Sequence, residues 1–463
     1  MNPQRIYRPE HGRASQRGQA MIFVALLLLL GVSAVIYTSS SLTSVSIANR
    51  QAEQTAKTLA QVKEALIGWS SSRNPATDGV NARPGELPCP DINPLNGYDD
   101  GSCVAEALGR VPWKSLGIPE PKDGAGETLW YAIAGPFRNY NMSSAPITSD
   151  TLGNLTVYQG SSGTTLTSQA VAVIFSPGAP LGTQDRDSST TALCASTGTT
   201  IARNLCATNY LDTASSINNA TPTANASPPS FIQAQSSSTF NDRVLAITNA
   251  NLMPAVERRV AREMISILQS YKAATAKSPT YPGGVYPWTD RSNGDSNDWN
   301  HNRFPCGTAL PVNWNTTVPS SSPSTNTPSL PLWLTNGCTN PVTGWTSVIY
   351  YAVARNRLEN SGAACTNCTD ATLTATNSSN RVADLCPTTG TTCSSTVVSS
   401  GSADLILITP GAATASPRGN WPAADFSPIT GFFEDAENSG NNNDIYVVPA
   451  STNYDRDRIY LVR

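Results

Sequence analysis

Residues 17–30 read RGQAMIFVALLLLL, and this stretch opens an apolar run that continues to residue 37. A helix over residues 19–37, rising about 1.5 Å per residue, is nearly long enough to cross the hydrocarbon core of a bilayer. The segment before it contains four arginines and one acidic residue. Because positive residues stay on the cytoplasmic side, the sequence predicts a cytoplasmic leader over 1–18 and a single transmembrane helix over 19–37.

The helical pattern does not stop where the apolar run ends, as it would after a cleaved signal peptide. The spacing of later apolar residues predicts that the same rod continues as a helix over 38–70 and lays an apolar stripe on a folded domain. A second helix is predicted over 253–275, with charged residues such as Glu257 off its stripe. The first stripe consists of Leu42, Val45, Ala48, Ala52, Leu59, Val62, Leu66 and Trp69, and the second of Met253, Val256, Val260, Met264, Leu268 and Tyr271.

Short landmarks that follow the first helix return in the same order in the second half of the chain. The landmarks of the first half are Leu-Pro-Cys at 87–89, Pro-Trp at 112–113, Trp-Tyr-Ala-Ile-Ala at 130–134, Val-Ala-Val-Ile-Phe at 171–175 and Asp-Arg at 242–243. Their counterparts in the second half are, in the same order, Phe-Pro-Cys at 304–306, Pro-Leu-Trp at 331–333, Tyr-Tyr-Ala-Val-Ala at 350–354, Leu-Ile-Leu-Ile at 405–408 and Asp-Arg at 457–458. The order is kept while the spacing drifts, as expected of loop insertions in a duplicated domain. Stretches rich in Ser, Thr and Asn, including 142–170 and 183–230, predict loops.

Together these patterns predict an α+β fold. A long N-terminal transmembrane helix would continue into a first domain, residues 38–250, in which the helix packs on an antiparallel sheet. A second copy of a similar domain, residues 251–463, would follow with its own helix and no membrane portion.

The composition limits the partners and the compartment. Only 14% of the 463 residues are charged and the net charge is -3, which argues against a nucleic-acid partner. Ten cysteines behind a membrane segment predict disulfides formed outside the cytosol, although the sequence leaves their connectivity open. Neighbouring cysteines suggest the pairs Cys89 with Cys103, Cys194 with Cys206, Cys306 with Cys338, Cys365 with Cys368, and Cys386 with Cys393. The last four thiols are also an alternative tetrahedral zinc set.

The sequence offers little for catalysis. Histidine occurs only at His11 and His301, so a histidine-based triad or metal site would have to rest on His301. We therefore expect no enzymatic activity and no required cofactor; a secreted hydrolase that works through carboxylates is an alternative.

Calcium is a possible ligand, because oxygen-bearing side chains crowd three glycine-containing turns. The first set is Asp91, Asn93, Asn96, Asp99 and Asp100; the others are Asp290, Asn293, Asp295, Asn297 and Asp298, and Glu434, Asp435, Glu437, Asn438 and Asp444. The alternative is that these residues cap their own turns.

The basic leader that ends in Gly18 before an apolar run resembles the type IV pilins and type II secretion pseudopilins. The resemblance implies that a prepilin peptidase cuts between Gly18 and Gln19, leaving the helix in the bacterial inner membrane to assemble with other pilin or pseudopilin subunits. It also implies a pilin-like domain behind the helix. The sequence Leu-Pro-Cys-Pro-Asp at 87–91, with the later Pro-Trp and Trp-Tyr-Ala landmarks, also resembles a set of prepilin-like periplasmic proteins.

One position departs from the family pattern. Family members usually carry a glutamate at the fifth mature position, which here is Phe23. Without that carboxylate a neighbouring subunit's terminal amine would lack a partner in the apolar bundle. Tip-located minor subunits of the family, including the large K-type pseudopilin, also lack it, so the resemblance implies a minor subunit at or near a filament tip. The alternative is a periplasmic binding protein or adhesin that keeps residues 1–18 as a permanent anchor.

Overall fold

The computed structural model describes residues 45–73, 82–92, 95–103, 107–139, 146–160, 163–194, 197–222, 228–275, 284–287, 301–303, 344–345, 348–353, 384–386, 404–409, 411–412, 445–447 and 457–462. The predicted leader and transmembrane segment lie outside these ranges, and so do Gly18, Gln19 and Phe23.

Helix α1, whose described part covers residues 45–72, follows the apolar stripe of the sequence. Leu59, Val62 and Leu66 are buried at helical spacing against the first sheet. Near its end, Ser71 and Ser72 donate hydrogen bonds back to the carbonyls of the preceding turn. Such side-chain bonds compete with the helical ladder and favour its termination.

The remaining elements follow in chain order. They are β1 (Leu108–Arg110), β2 (Trp130–Ile133), β3 (Leu155–Gln159), β4 (Thr164–Ser176), β5 (Thr191–Cys194), β6 (Thr199–Ala202), β7 (Thr213–Ala214), β8 (Ile217–Asn218), β9 (Ser230–Gln233), β10 (Arg243–Thr248), α2 (Asn249–Thr275), β11 (His301–Arg303), β12 (Tyr350–Val353), β13 (Asp384–Cys386), β14 (Leu405–Thr409), β15 (Ile445–Val447) and β16 (Arg458–Val462).

The first sheet is a six-stranded curled sheet built around β4. Its order is β1-β2-β4-β3-β9, and β10 also pairs with β4. The half of β4 from Ala170 to Phe175 is fully buried, whereas most residues from Thr164 to Gln169 are exposed. β3 and β9 run parallel. Parallel pairing requires a long crossover, and the chain between these two strands supplies it with β4 to β8.

The second sheet repeats the pairing of part of the first. Its order is β11-β12-β14-β16, all antiparallel. Trp130 faces Phe175 in the first sheet, and Tyr350 faces Ile408 in the second. The outer strands have the same register in both sheets. Val244 of β10 faces Phe175 in the first sheet, and Ile459 of β16 faces Ile408 in the second.

These registers correct one of the sequence correspondences. Arg110 of β1 faces Trp130 as Arg303 of β11 faces Tyr350, so the chain at 303 corresponds to the chain at 110. Phe-Pro-Cys at 304–306 therefore aligns with Val-Pro-Trp at 111–113. The counterpart of Gly-Glu-Leu-Pro at 85–88 is Gly-Val-Tyr-Pro at 284–287, since Gly85 and Gly284 both have positive φ values shortly after a helix.

The predicted fold class is wrong. The described structure is mixed α/β with two long helices, a curled sheet and two parallel strand pairs, β3 with β9 and β13 with β15, and not a helix on an antiparallel sheet in two copies. Helix α2 contacts strands of both sheets, and one hydrophobic cluster contains residues from both halves. Within the described ranges, no helix combines the length and apolarity needed to cross a membrane.

The hairpin between β7 and β8 offers a test of local strain. Its two central residues, Ser215 and Ser216, both have positive φ values, as a type I′ turn requires. This conformation disfavours a residue with a Cβ, so Ser216→Gly is expected to raise the free energy of unfolding by about 0.5–1 kcal/mol. Urea denaturation measures the change, and Gly198→Ala, at φ 67° in the β5–β6 hairpin, is expected to lower stability. Equal signs for the two variants would contradict the assignment.

Candidate functional site

The first described turns of helix α1 lie outside the packed core. Every residue from 45 to 51 is exposed, and Val45 and Ile47 retain 57% and 50% of their accessible surface. The first buried side chain of the helix is that of Thr55, and the first buried residue of the apolar stripe is Leu59. We call residues 45–54 the stem; it presents apolar side chains that the described structure leaves uncovered.

A turn at residues 122–126 holds α1 where the stem meets the core. Gly124 N–H donates to Thr55 Oγ1 at 2.9 Å, and Thr58 Oγ1 donates to the Lys122 carbonyl at 3.0 Å. Gly124 lies against the helix backbone, since a Cβ there would be 2.2 Å from the Gln51 carbonyl oxygen. We call this turn the clasp.

The buried carboxylate of Asp123 ties the clasp to the first sheet. It accepts hydrogen bonds from Ala125 N–H and Glu127 N–H within the clasp region. Its other oxygen accepts from Ser176 Oγ at the end of β4 and from Gly178 N–H. The helix, the clasp and β4 therefore form one connected unit.

Two of the cysteine pairs suggested by the sequence are disulfides in the structure, Cys89–Cys103 and Cys194–Cys206. Cys386 lies in β13. The other predicted cysteines lie outside the described residues: Cys306, Cys338, Cys365, Cys368 and Cys393.

Two acidic side chains of the first acidic turn, Asp91 and Asp99, accept hydrogen bonds within the protein. Asp91 accepts hydrogen bonds from Gly97 N–H at 2.8 Å and from Asn96 N–H, and burial raises the pKa of its carboxyl. Asp99 accepts from Ser115 Oγ at 2.7 Å and from Asn139 Nδ2 at 3.0 Å. The Asp91 contacts favour the turn-capping alternative. Asp99 instead accepts from side chains that lie 16 and 40 positions away in the sequence.

A calcium site in this turn stays a prediction. Asn93 lies outside the described residues, and Asp100 lies near enough to Asp91 to raise its pKa. In the described part of the chain, no group of three or more His, Cys, Asp or Glu side chains is arranged to hold a metal ion. The other two acidic clusters lie outside that part, and His301 lies in β11.

A cluster of arginine and aromatic side chains was not visible in the sequence. The Tyr210 ring lies 5.3 Å from the Trp130 ring, with the guanidinium carbons of Arg110 and Arg186 at 5.0 Å and 4.5 Å from its centroid. Arg186 forms an ion pair with Glu127 at 2.9 Å. We call Arg110, Trp130, Arg186 and Tyr210 the arginine–aromatic cluster. Its members are separated by 20 or more positions, so no spacing pattern predicts it.

A pair of buried acids lies next to this cluster. Asp242 accepts hydrogen bonds from Asp212 N–H at 2.8 Å and Asn219 Nδ2 at 2.9 Å, while Asp212 accepts from Asn241 N–H at 2.7 Å. Burial, and then the nearby Asp212 carboxylate, raises the pKa of Asp242 well above its usual range, although Arg186 opposes this rise. Burial also raises the pKa of Asp212. The pair joins the loop before β7 to the start of β10.

This pair predicts a pH dependence of stability. Because the pKa of Asp242 is raised in the folded state, the folded protein keeps a proton that the unfolded chain releases above about pH 4. This bound proton contributes to the free energy of unfolding, and its contribution is lost as the pH rises through the raised pKa. Asp242→Asn removes the carboxyl group and therefore this pH-dependent contribution to stability. From about pH 4 to pH 7, we expect the free energy of unfolding of the variant to rise relative to that of the unmodified protein.

Urea denaturation at several pH values measures this shift. Asp187 is the matched control, because hydrogen bonds from Ser189 lower the pKa of its exposed carboxyl. Its contribution is present above its usual pKa, so Asp187→Asn should give no gain at higher pH. An Asp242→Asn profile parallel to that of the unmodified protein would contradict the assignment.

Comparison of the chain with protein-family models, curated proteins and solved structures finds no match.

Proposed function

We propose that this protein is a minor pilin- or pseudopilin-like structural subunit that takes part in assembling a type IV pilus or a type II secretion filament. It would be held in the bacterial inner membrane by residues 19–37, with a cytoplasmic N-terminus and the bulk of the chain in the periplasm. A prepilin peptidase would remove residues 1–18, and the subunit would then assemble with other pilin or pseudopilin subunits near the filament tip.

The stem of α1 is the observation that carries this proposal. Residues 45–54 continue the helix beyond the clasp toward the apolar segment, and they expose Val45 and Ile47 without a partner in the described structure. Exposed apolar side chains on a protruding helix favour association with another apolar surface. A subunit that packs its helix against other helices would use such a surface.

The disulfides and the position of Phe23 support the compartment and the place in the filament. Cys89–Cys103 and Cys194–Cys206 agree with folding in an oxidising compartment such as the periplasm. A phenylalanine where the family usually has a glutamate favours a tip position over repeated packing along a filament shaft.

Site-specific photo-crosslinking tests the assembly step. A photoreactive amino acid at Ile47, in cells that carry the whole filament machinery, is expected to crosslink this protein to pilin or pseudopilin subunits. Leu193, on the β5–β6 hairpin and 73% exposed, is the matched control and is expected to give no such product. Failure of the Ile47 probe to capture any filament subunit would contradict the proposal and favour a permanently anchored binding protein or adhesin.

A further inference from the structure

We infer that Arg110 and Trp130, in the arginine–aromatic cluster, form a binding site for a carboxylate group. The two residues face each other across β1 and β2, so their side chains lie on the same face of the sheet. The guanidinium carbon of Arg110 lies 5.7 Å from the Trp130 ring centroid. The site therefore combines a cation with an indole N–H.

Both residues carry a buried donor that lacks an acceptor. Arg110 Nε and Trp130 Nε1 have no hydrogen-bond partner among the described residues, although Trp130 is only 3% exposed. Burying an N–H group without an acceptor costs about 1–3 kcal/mol. An acceptor that reaches both donors would remove this cost, and such an acceptor is what a ligand could supply.

Arg110 differs from its neighbours in its charge partners. Within the described ranges, Arg186 pairs with Glu127 and Arg203 pairs with Asp185, whereas Arg110 has no ion pair. Its Nη2 donates to two neutral oxygens, the Asn204 carbonyl at 3.1 Å and Tyr210 Oη at 2.8 Å. A partly buried guanidinium without a counter-ion favours the binding of an anion.

The nearby acid Asp91 does not fill this role. Arg110 acts on the Asp91 carboxyl only as the weakest of several influences on its pKa. The contact between the two residues is through the backbone, where each N–H donates to the other residue's carbonyl at 2.8–2.9 Å. The Asp91 carboxylate instead accepts from the backbone N–H of Gly97.

The donors favour a carboxylate over other anions. Arg110 Nη2 already donates to two oxygens, so the buried donors without an acceptor are Arg110 Nε–H and the Trp130 indole N–H. A carboxylate offers one oxygen to each of them, and its hydrogen bond to the guanidinium is charge-assisted. A phosphate brings more oxygens and more charge than these donors satisfy. Arg110 is partly exposed as a residue, but its Nε and Trp130 Nε1 are buried, so a ligand that reaches both donors has to displace neighbouring side chains.

The second sheet repeats the arrangement at the level of the backbone. Arg303 of β11 faces Tyr350 of β12 in the register in which Arg110 faces Trp130. An arginine opposite an aromatic residue therefore occurs at the same position of both sheets.

Acetate is the probe that tests the site. In the full chain, purified in detergent and labelled with ¹⁵N-tryptophan, the Trp130 indole signal is assigned by its absence in Trp130→Phe. Titration with sodium acetate is expected to shift this signal in a saturable manner at about 1–10 mM, because so small a ligand binds weakly. Neutral acetamide, and sodium chloride at the same ionic strength, are expected to leave it unshifted.

Variants separate binding from folding. Arg110→Gln is expected to weaken acetate binding at least tenfold, and Arg203→Gln, the matched control on a neighbouring ion-paired arginine, is expected to leave it unchanged. If Arg110→Gln does not fold, Trp130→Phe followed by calorimetry takes its place, with an expected several-fold loss of affinity. An unshifted indole signal in the unmodified protein, or an equal response to phosphate or acetamide, would overturn the inference.

Discussion

Glu257→Gln is expected to lower the free energy of unfolding by about 3 kcal/mol, because it removes the charge from a buried ion pair. Glu257 is 1% exposed on helix α2 and pairs with the Arg458 guanidinium on β16. It also accepts hydrogen bonds from Ser149 Oγ and, at 3.4 Å, from Thr409 Oγ1. One carboxylate thus joins α2 to the first half of the chain and to the second sheet.

Urea denaturation of Glu257→Gln measures this loss, and Glu263→Gln is the matched control on the same helix. Glu263 pairs with Arg259 at 2.6 Å, but both side chains are about one-third exposed, so this change is expected to cost no more than about 0.5 kcal/mol. An equal loss of stability in the two variants would contradict the claim that the Glu257 carboxylate joins α2 to the first half of the chain and to the second sheet.

Gly124→Ala is expected to lower the free energy of unfolding by about 2–3 kcal/mol, because the added Cβ has no space. It would lie 2.2 Å from the Gln51 carbonyl oxygen and 2.5 Å from the Gln51 Cα, and both atoms belong to the helix backbone. The clasp would have to move away from α1, which would break the hydrogen bonds of Thr55 and Thr58. Faster amide exchange over residues 51–58 should accompany the loss.

Gly68→Ala is the matched control within helix α1. A Cβ at Gly68 meets nothing within 4 Å, so this substitution is expected to raise stability by about 0.5–1 kcal/mol through helix propensity. The opposite signs distinguish the close contact at the clasp from a general effect of adding a methyl group. A stabilising Gly124→Ala would contradict the described contact.

The sequence predicted the elements that depend on periodic burial. Leu59, Val62 and Leu66 of the first stripe are buried, and so are Val260 and Met264 of the second. Burial on one face repeats at the helical period, so these residues can be identified without the structure. The apolar runs that became β2, β12 and β14 were visible for a similar reason, since fully buried strands are continuously apolar.

The parts that depend on long-range pairing could not be predicted. The stretches 142–170 and 183–230 were expected to be loops, yet they contain β3, part of β4 and β5 to β8. β9 and its parallel pairing with β3 were missed because short strands gain much of their stability from neighbours distant in sequence. Phe-Pro-Cys at 304–306 was matched to the wrong landmark because three shared letters carry less information than a strand register.

The candidate sites also differ in whether the sequence alone could predict them. The apolar stem follows from a continuous helical pattern, whereas the arginine–aromatic cluster brings together Arg110, Trp130, Arg186 and Tyr210 from four separate segments. Glu257 was placed on a polar face by its charge, and the structure buries it against Arg458. A buried charge can be recognised only when its partner is known.

The most direct test of the proposed function is the N-terminus of the membrane-extracted protein, determined by mass spectrometry in cells with and without the prepilin peptidase. A mature chain that starts at Gln19 only when the peptidase is present is the expected result, and Gly18→Asp should abolish this processing. An intact N-terminus in both strains, or a cut beyond residue 37 that does not depend on the peptidase, would contradict assembly as a pilin-like subunit.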